Sequence, residues 1–155
     1  MESRSGRLSA DARWAIVALC LALFSSACSD TEGPAQELAP VAIPTPSLAG
    51  LHPRVSGHIQ AQRELLAESI ANSRDPREIA RSYGVAGQTY HTYGFLEAAE
   101  ACYLNAQRLN NDDYRWSYYL GRIYRQQGRL DKAVAQLRRS LASRPDYAPA
   151  AISLA

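Results

Sequence analysis

Hydrophobic and polar positions follow three regimes along this chain. Trp14 to Phe24 is an unbroken apolar run of eleven residues, with Arg4, Arg7 and Arg13 ahead of it. Residues 29–50 hold four prolines, two glycines and no aromatic residue, and show no periodicity. From Val55 onward apolar residues recur at helical intervals. Val55, Ile59, Leu66 and Ile70, with Leu65 beside them, mark one face of a helix, and Arg63, Glu64 and Glu68 mark the other. A second helix start is written in Asp75-Pro76-Arg77-Glu78. Aspartate can cap, proline suits the first helical position, and a glutamate three residues after the cap completes a capping box.

The periodic region repeats itself. Shifting residues 80–113 by 34 onto 114–147 aligns Gly87 with Gly121, Tyr90 with Tyr124, Gly94 with Gly128, Leu96 with Leu130, Ala99 with Ala133, Ala101 with Ala135 and Asp112 with Asp146, without a gap. Gly87 and Gly121 stand mid-helix, where glycine costs about 1 kcal/mol against alanine, so close approach of a partner helix is the expected reason. Gly94 and Gly128 suit the left-handed conformation that ends a helix. Leu96, Ala99, Tyr103 and Ala106 make one face of the following helix, and Leu130, Ala133, Leu137 and Ser140 reproduce it. Each unit is therefore a helix, a tight turn and an antiparallel helix.

A 34-residue period built on these residues resembles the tetratricopeptide repeat family. Tyr83, Ala86, Gly87 and Tyr90, then Leu120, Gly121 and Tyr124, are similar to its first-helix pattern. Ala99, Tyr103 and Ala106, then Ala133, Leu137, Ser140 and Pro145, are similar to its second. Ser117 departs from it where the family has a large aromatic, with Trp116 one residue early, and Asn111 stands in place of a proline. The resemblance implies an all-α fold of antiparallel hairpins stacked as a short solenoid. One amphipathic helix (51–79) precedes unit 1 (80–113) and unit 2 (114–147), and residues 148–155 begin a third. That apolar last stretch leads to the expectation of a longer array, or of another chain, a second copy included, covering this end.

The N-terminal run is too short for a membrane span, which needs about 20 apolar residues, but it suits a signal-peptide core. Ser25, Ser26 and Ala27 follow, then Cys28. This junction resembles a bacterial lipoprotein signal over about five residues, departing at Ser25, where that family has leucine. It implies cleavage after residue 27, acylation of Cys28 and a lipid anchor in the membrane; ordinary secretion with cleavage at the same bond is the alternative. Ser29 after the cysteine is similar to the outer-membrane sorting pattern, facing the periplasm. Residues 28–50 then read as a proline-rich flexible tether.

Composition adds an asymmetry. The chain's net charge is only +2, too weak to suggest nucleic-acid binding. Yet residues 114–147 carry eight basic and two acidic side chains, whereas 80–113 carry two basic and four acidic. Arg115, Tyr118, Arg122, Arg125 and Arg129, spaced 3, 4, 3 and 4, form a stripe opposite Trp116, Tyr119, Leu120, Ile123 and Tyr124, which should face the core. By the family resemblance the inner groove is lined by Arg81, Gly84, Gln88, His91 and Thr92, then Arg115, Tyr118, Arg122, Arg125 and Gln126, so the basic stripe coincides with it. A solvated helix face is the plainer reading. If it is a groove, its partner is a protein with an acidic segment or chain terminus, because guanidinium groups pair bidentately with carboxylates.

Catalytic constellations are missing from the sequence. His52, His58 and His91 have no metal-binding spacing, Cys102 lies on an alanine-rich packing helix, and the glycines fall at repeat positions rather than in a phosphate loop. No cofactor, metal or reaction is expected. The expectation is an exported, lipid-anchored repeat adaptor for another envelope protein. The non-catalytic portion of a larger envelope enzyme or transport assembly is the alternative.

Overall fold

The structure, a computed structural model, describes residues 39–154. The apolar run, the cleavage junction, Cys28 and the first part of the proline-rich segment lie outside the described residues. Six α-helices follow one another: α1 (Pro53–Asn72), α2 (Pro76–Thr92), α3 (Leu96–Leu109), α4 (Tyr114–Gln126), α5 (Leu130–Ser143) and α6 (Ala148–Leu154). Helices α3 and α5 both start and end 34 residues apart, so the period in the sequence is a period in space. Each helix packs chiefly on its neighbours in the chain, with α2 on α3 and α4 on α5 the closest pairs. This is the quasi-one-dimensional layout of a stacked hairpin array.

Local signals place the helix ends. Asp75 and Asp113 cap α2 and α4, accepting from the backbone N–H of Arg77 at 2.9 Å and of Arg115 at 3.1 Å. The box at α2 closes differently from the sequence expectation. Glu78 accepts from the Ser73 hydroxyl at 2.7 Å, and Ser73 in turn accepts from the Asp75 N–H. Gly94 and Gly128 end their helices at φ of +81° and +72°.

Glycines also set the spacing between helices. A Cβ on Gly87 would stand 2.7 Å from the Tyr103 ring, and one on Gly121 would stand 2.8 Å from Leu137 Cγ. These contacts hold the two helices of each hairpin together. A third contact joins successive units: Trp116 of α4 lies so close to Gly84 of α2 that a Cβ there would come within 2.2 Å of its ring. Gly84 is therefore buried under Trp116 and does not line a groove. The aromatic one residue early relocates the family's usual packing, while Ser117 sits buried and accepts from Gln107 Nε2 at 2.8 Å.

The core runs through Ile59, Leu66, Ala80, Ala99, Tyr103, Ala106, Leu120, Ile123 and Ala133. In α1 only part of the expected face is used, since Leu65 and Ile70 are exposed; Leu130, the first residue of α5, is exposed as well. Residues 39–48 form an extended strap laid on the helices, which differs from the free tether expected through residue 50. Asn105 of α3 grips Val41 by both backbone groups, its Oδ1 accepting from the Val41 N–H and its Nδ2 donating to the Val41 carbonyl, each at 2.8 Å. Arg108 donates to the Ala39 carbonyl and Arg63 to that of Pro46, while Ile43, Leu48 and Leu51 pack on the core. Proline suits such a strap because it presents no backbone donor left unpaired. Among the described residues no helix is long and apolar enough to cross a membrane.

Candidate functional site: a tyrosine-lined groove on α2 and α4

The basic stripe read from the sequence separates into residues with different occupations. Arg115 folds back on Asp113 in a 2.6 Å ion pair and lies over the Trp116 ring at 4.9 Å. That pairing, with backbone help, holds the Asp113 carboxyl below its usual value despite burial. Arg129 falls beyond the end of α4, where it pairs with Glu100 at 2.7 Å and stacks over Tyr124 at 4.4 Å. Arg115 braces the cap of its own helix, and Arg129 ties the start of α5 to α3. Arg122 and Arg125 are left with no carboxylate partner among the described residues. Arg122 is half-buried with its guanidinium 5.9 Å from the Tyr118 ring centre, and Arg125 is exposed.

Five of the expected groove residues come together. Gln88, His91, Thr92, Arg122 and Gln126 line one recess of about 210 Å³, with Tyr103 and Tyr119. His91 Nε2 meets Gln126 Oε1 at 3.1 Å, and Gln88 Nε2 donates to the Tyr119 hydroxyl at 2.9 Å, so two hydrogen bonds span α2 and α4. Burial first, and then the Arg122 charge, lower the His91 pKa against the opposing hydrogen bond. Arg81 is elsewhere: it lines a separate recess with Gln62, Leu65, Leu66 and Val85, between α1 and α2.

Two residues of this site were assigned to the core by sequence reasoning, Tyr103 and Tyr119. They stack at 5.1 Å with planes 15° apart. From Tyr119 the aromatic contacts continue through Tyr118 at 5.4 Å and Tyr147 at 5.1 Å to Tyr114 at 4.6 Å. Five of the chain's nine tyrosines thus form one connected wall. The signal was present in the Tyr118-Tyr119 pair, because two adjacent helical residues can flank a groove edge rather than divide between core and solvent. Chemically the wall offers flat apolar area with hydroxyl tips, and the arginines add positive charge.

Burial pushes the Cys102 thiol up to about 12, so it stays protonated and unreactive at neutral pH. Among the described residues no cluster of histidine, cysteine and acidic side chains could hold a metal ion.

Residues 86–148 match the family model described as tetratricopeptide repeat. The described helices form a short all-α solenoid of antiparallel hairpins that is similar, over that stretch, to tetratricopeptide repeats. Among solved structures, the crystal structure of MamA is similar to it at 19% identity and a TM-score of 0.48, over 64% of this chain and 74% of that one. No curated protein matches it. In this repeat array α2 and α4 are the first helices of successive units, and the recess lies between them.

Proposed function

We propose that the protein is an exported, lipid-anchored adaptor of the bacterial envelope, whose basic groove on α2 and α4 captures an acidic segment or chain terminus of another protein. The observation that supports this most is the state of Arg122 and Arg125. The fold uses Arg115 and Arg129 for its own ion pairs, yet among the described residues leaves these two unpaired beside a wall of tyrosines. Arginine and tyrosine are the residue types that most often carry binding energy at protein interfaces. Export and anchoring rest on the N-terminal pattern ending at Cys28 and on the outer-membrane-like serine after it.

Each half of this reading has its own measurement. In cells fed labelled palmitate, the wild-type chain should carry label and Cys28→Ser should carry none. Label that persists in Cys28→Ser, or its absence from the wild type, defeats the anchor. For the groove, the Arg122→Glu, Arg125→Glu double variant should lose the crosslinked partner adduct in its own cells by at least tenfold. Its circular dichroism should match the wild type, because Arg125 is exposed and Arg122, half-buried beside Tyr118, makes no ion pair among the described residues. An adduct of undiminished yield would remove the groove from the function.

A further inference from the structure

The strap has a well-held body and one loose joint. Its polar grips are Asn105, Arg108 and Arg63, none of which lines the recess between α2 and α4. All of these grips fall on backbone groups of Ala39, Val41 and Pro46, so the seat on α3 and α1 reads an extended main chain. With the strap lifted, the Asn105 amide loses both of its partners. The core under Ile43 and Leu48 opens to water at the same time, so an empty seat is disfavoured.

The joint is the turn at Ala49-Gly50. There the Leu51 N–H donates to the Leu48 carbonyl at 3.3 Å, and Gly50 turns the chain at a φ of +81°. A Cβ on Gly50 would meet nothing within 4 Å, so this glycine serves the backbone angle and not packing. Just beyond it α1 has a start of its own. Pro53 is its first residue, and His52 Nδ1 accepts from the Arg54 N–H at 3.2 Å. Opening the joint therefore leaves the helix start untouched. Pro40, Pro44 and Pro46 keep a released strap extended, which lowers the ordering cost of seating it again.

We propose that the strap is exchanged between two copies of this chain. Residues 39–48 of one copy dock on Asn105, Arg108 and Arg63 of the other, which returns its own strap, and Gly50 is the hinge of both. The proposal stands apart from the groove reading above. Its occupant follows from identity: a second copy offers the same backbone groups, prolines and apolar side chains that the seat already holds. Exchange keeps every strap contact and alters only the joint, which makes it a low-cost route to a symmetric dimer. The short tether gives the closed form an effective concentration on the order of 1 mM, and exchange competes as the chain approaches that concentration.

The test uses the full chain and alters the joint while sparing strap and seat. Gly50→Val puts a β-branched residue at a left-handed angle that the closed turn requires and an extended hinge does not. Two joints are relieved per dimer, so its dissociation constant should fall about thirtyfold. Light scattering after gel filtration at about 100 μM should then show a largely monomeric wild type and a mostly dimeric Gly50→Val. The Gly50→Val, Asn105→Ala double variant should be monomeric with unchanged helicity by circular dichroism, because its strap stays undocked in either form. An equal mixture of isotope-labelled and unlabelled Gly50→Val should give a nuclear Overhauser contact between Val41 of one chain and Asn105 of the other.

A monomeric Gly50→Val, a dimer that survives Asn105→Ala, or a mixture with no contact across chains overturns the exchange. A monomeric Gly50→Val that still binds a free peptide of residues 39–48 also overturns it, and assigns the seat to segments of other proteins. None of these outcomes depends on Arg122 or Arg125, so failure here and failure of the groove are told apart.

Discussion

Truncating Trp116 to alanine should lower the unfolding free energy by about 4 kcal/mol, the upper part of the range for deleting a buried aromatic. The side chain is 3% exposed and stands against Gly84 of the preceding unit. A glycine cannot reach into the vacated space, so the cavity stays open and the full packing loss appears. No hydrogen bond is lost with the indole, because its Nε1 has no partner. Small domains are stable by only about 5–15 kcal/mol, so this contact is a large share of what keeps the two units stacked. Urea unfolding followed by circular dichroism measures it, and a loss below about 1.5 kcal/mol would show that the units are joined by something else. Gly84→Ala supplies a cross-check. Alone it should destabilise, since its Cβ collides with the ring. In the Trp116→Ala background it should be neutral or stabilising, giving a coupling of opposite sign that only direct contact explains.

Asn105→Ala should cost about 2 kcal/mol and release the strap. Two hydrogen bonds from a buried amide vanish, each contributing on the order of 1 kcal/mol. The Val41 backbone is near the surface and regains water, which keeps the loss from growing larger. The local effect exceeds the global one. Without the grip on Val41, the packing of Ile43 and Leu48 must hold the strap unaided, so it opens far more often than the helices unfold. Hydrogen exchange reads this directly: the Val41 amide should be protected in the wild type and exchange at nearly the free-chain rate in the variant, while amides in α4 keep their protection. Retained protection at Val41 would mean that the apolar contacts alone secure the strap.

What the sequence made legible was whatever repeats or acts locally. Gly87, Gly121, Gly94 and Gly128 report helix spacing and helix ends within a few residues of themselves, and all four act in the structure as their positions imply. Contacts between units carry no such mark. Trp116 looked like a misplaced consensus aromatic until Gly84, in the preceding unit, supplied its seat. The arginine stripe misled for a related reason. Helical spacing treats a face as uniform, whereas Arg129 lies past the last turn and Arg115 is claimed by the cap two residues before it. Tyr119 was hidden because periodicity offers only core or solvent, and a groove wall is neither. The strap was illegible altogether. It has no periodicity, and its anchor, Asn105, lies 64 residues from Val41.

The grip of Asn105 on Val41 also sets the length of a leash. Were residues 28–50 all free, a module anchored through Cys28 could stand roughly 75 Å from the lipid surface, at the about 3.4 Å per residue of an extended chain. With the strap fastened at Ala39, eleven residue steps remain from Cys28, and the reach falls to about 37 Å at full extension. On the lipid-anchored reading, partners held farther from the membrane than that length and the module together can span pass out of range. Releasing the whole strap, its bonds to Asn105, Arg108 and Arg63 together with its apolar contacts, would double that length, making strap docking a setting for which neighbours the adaptor can touch.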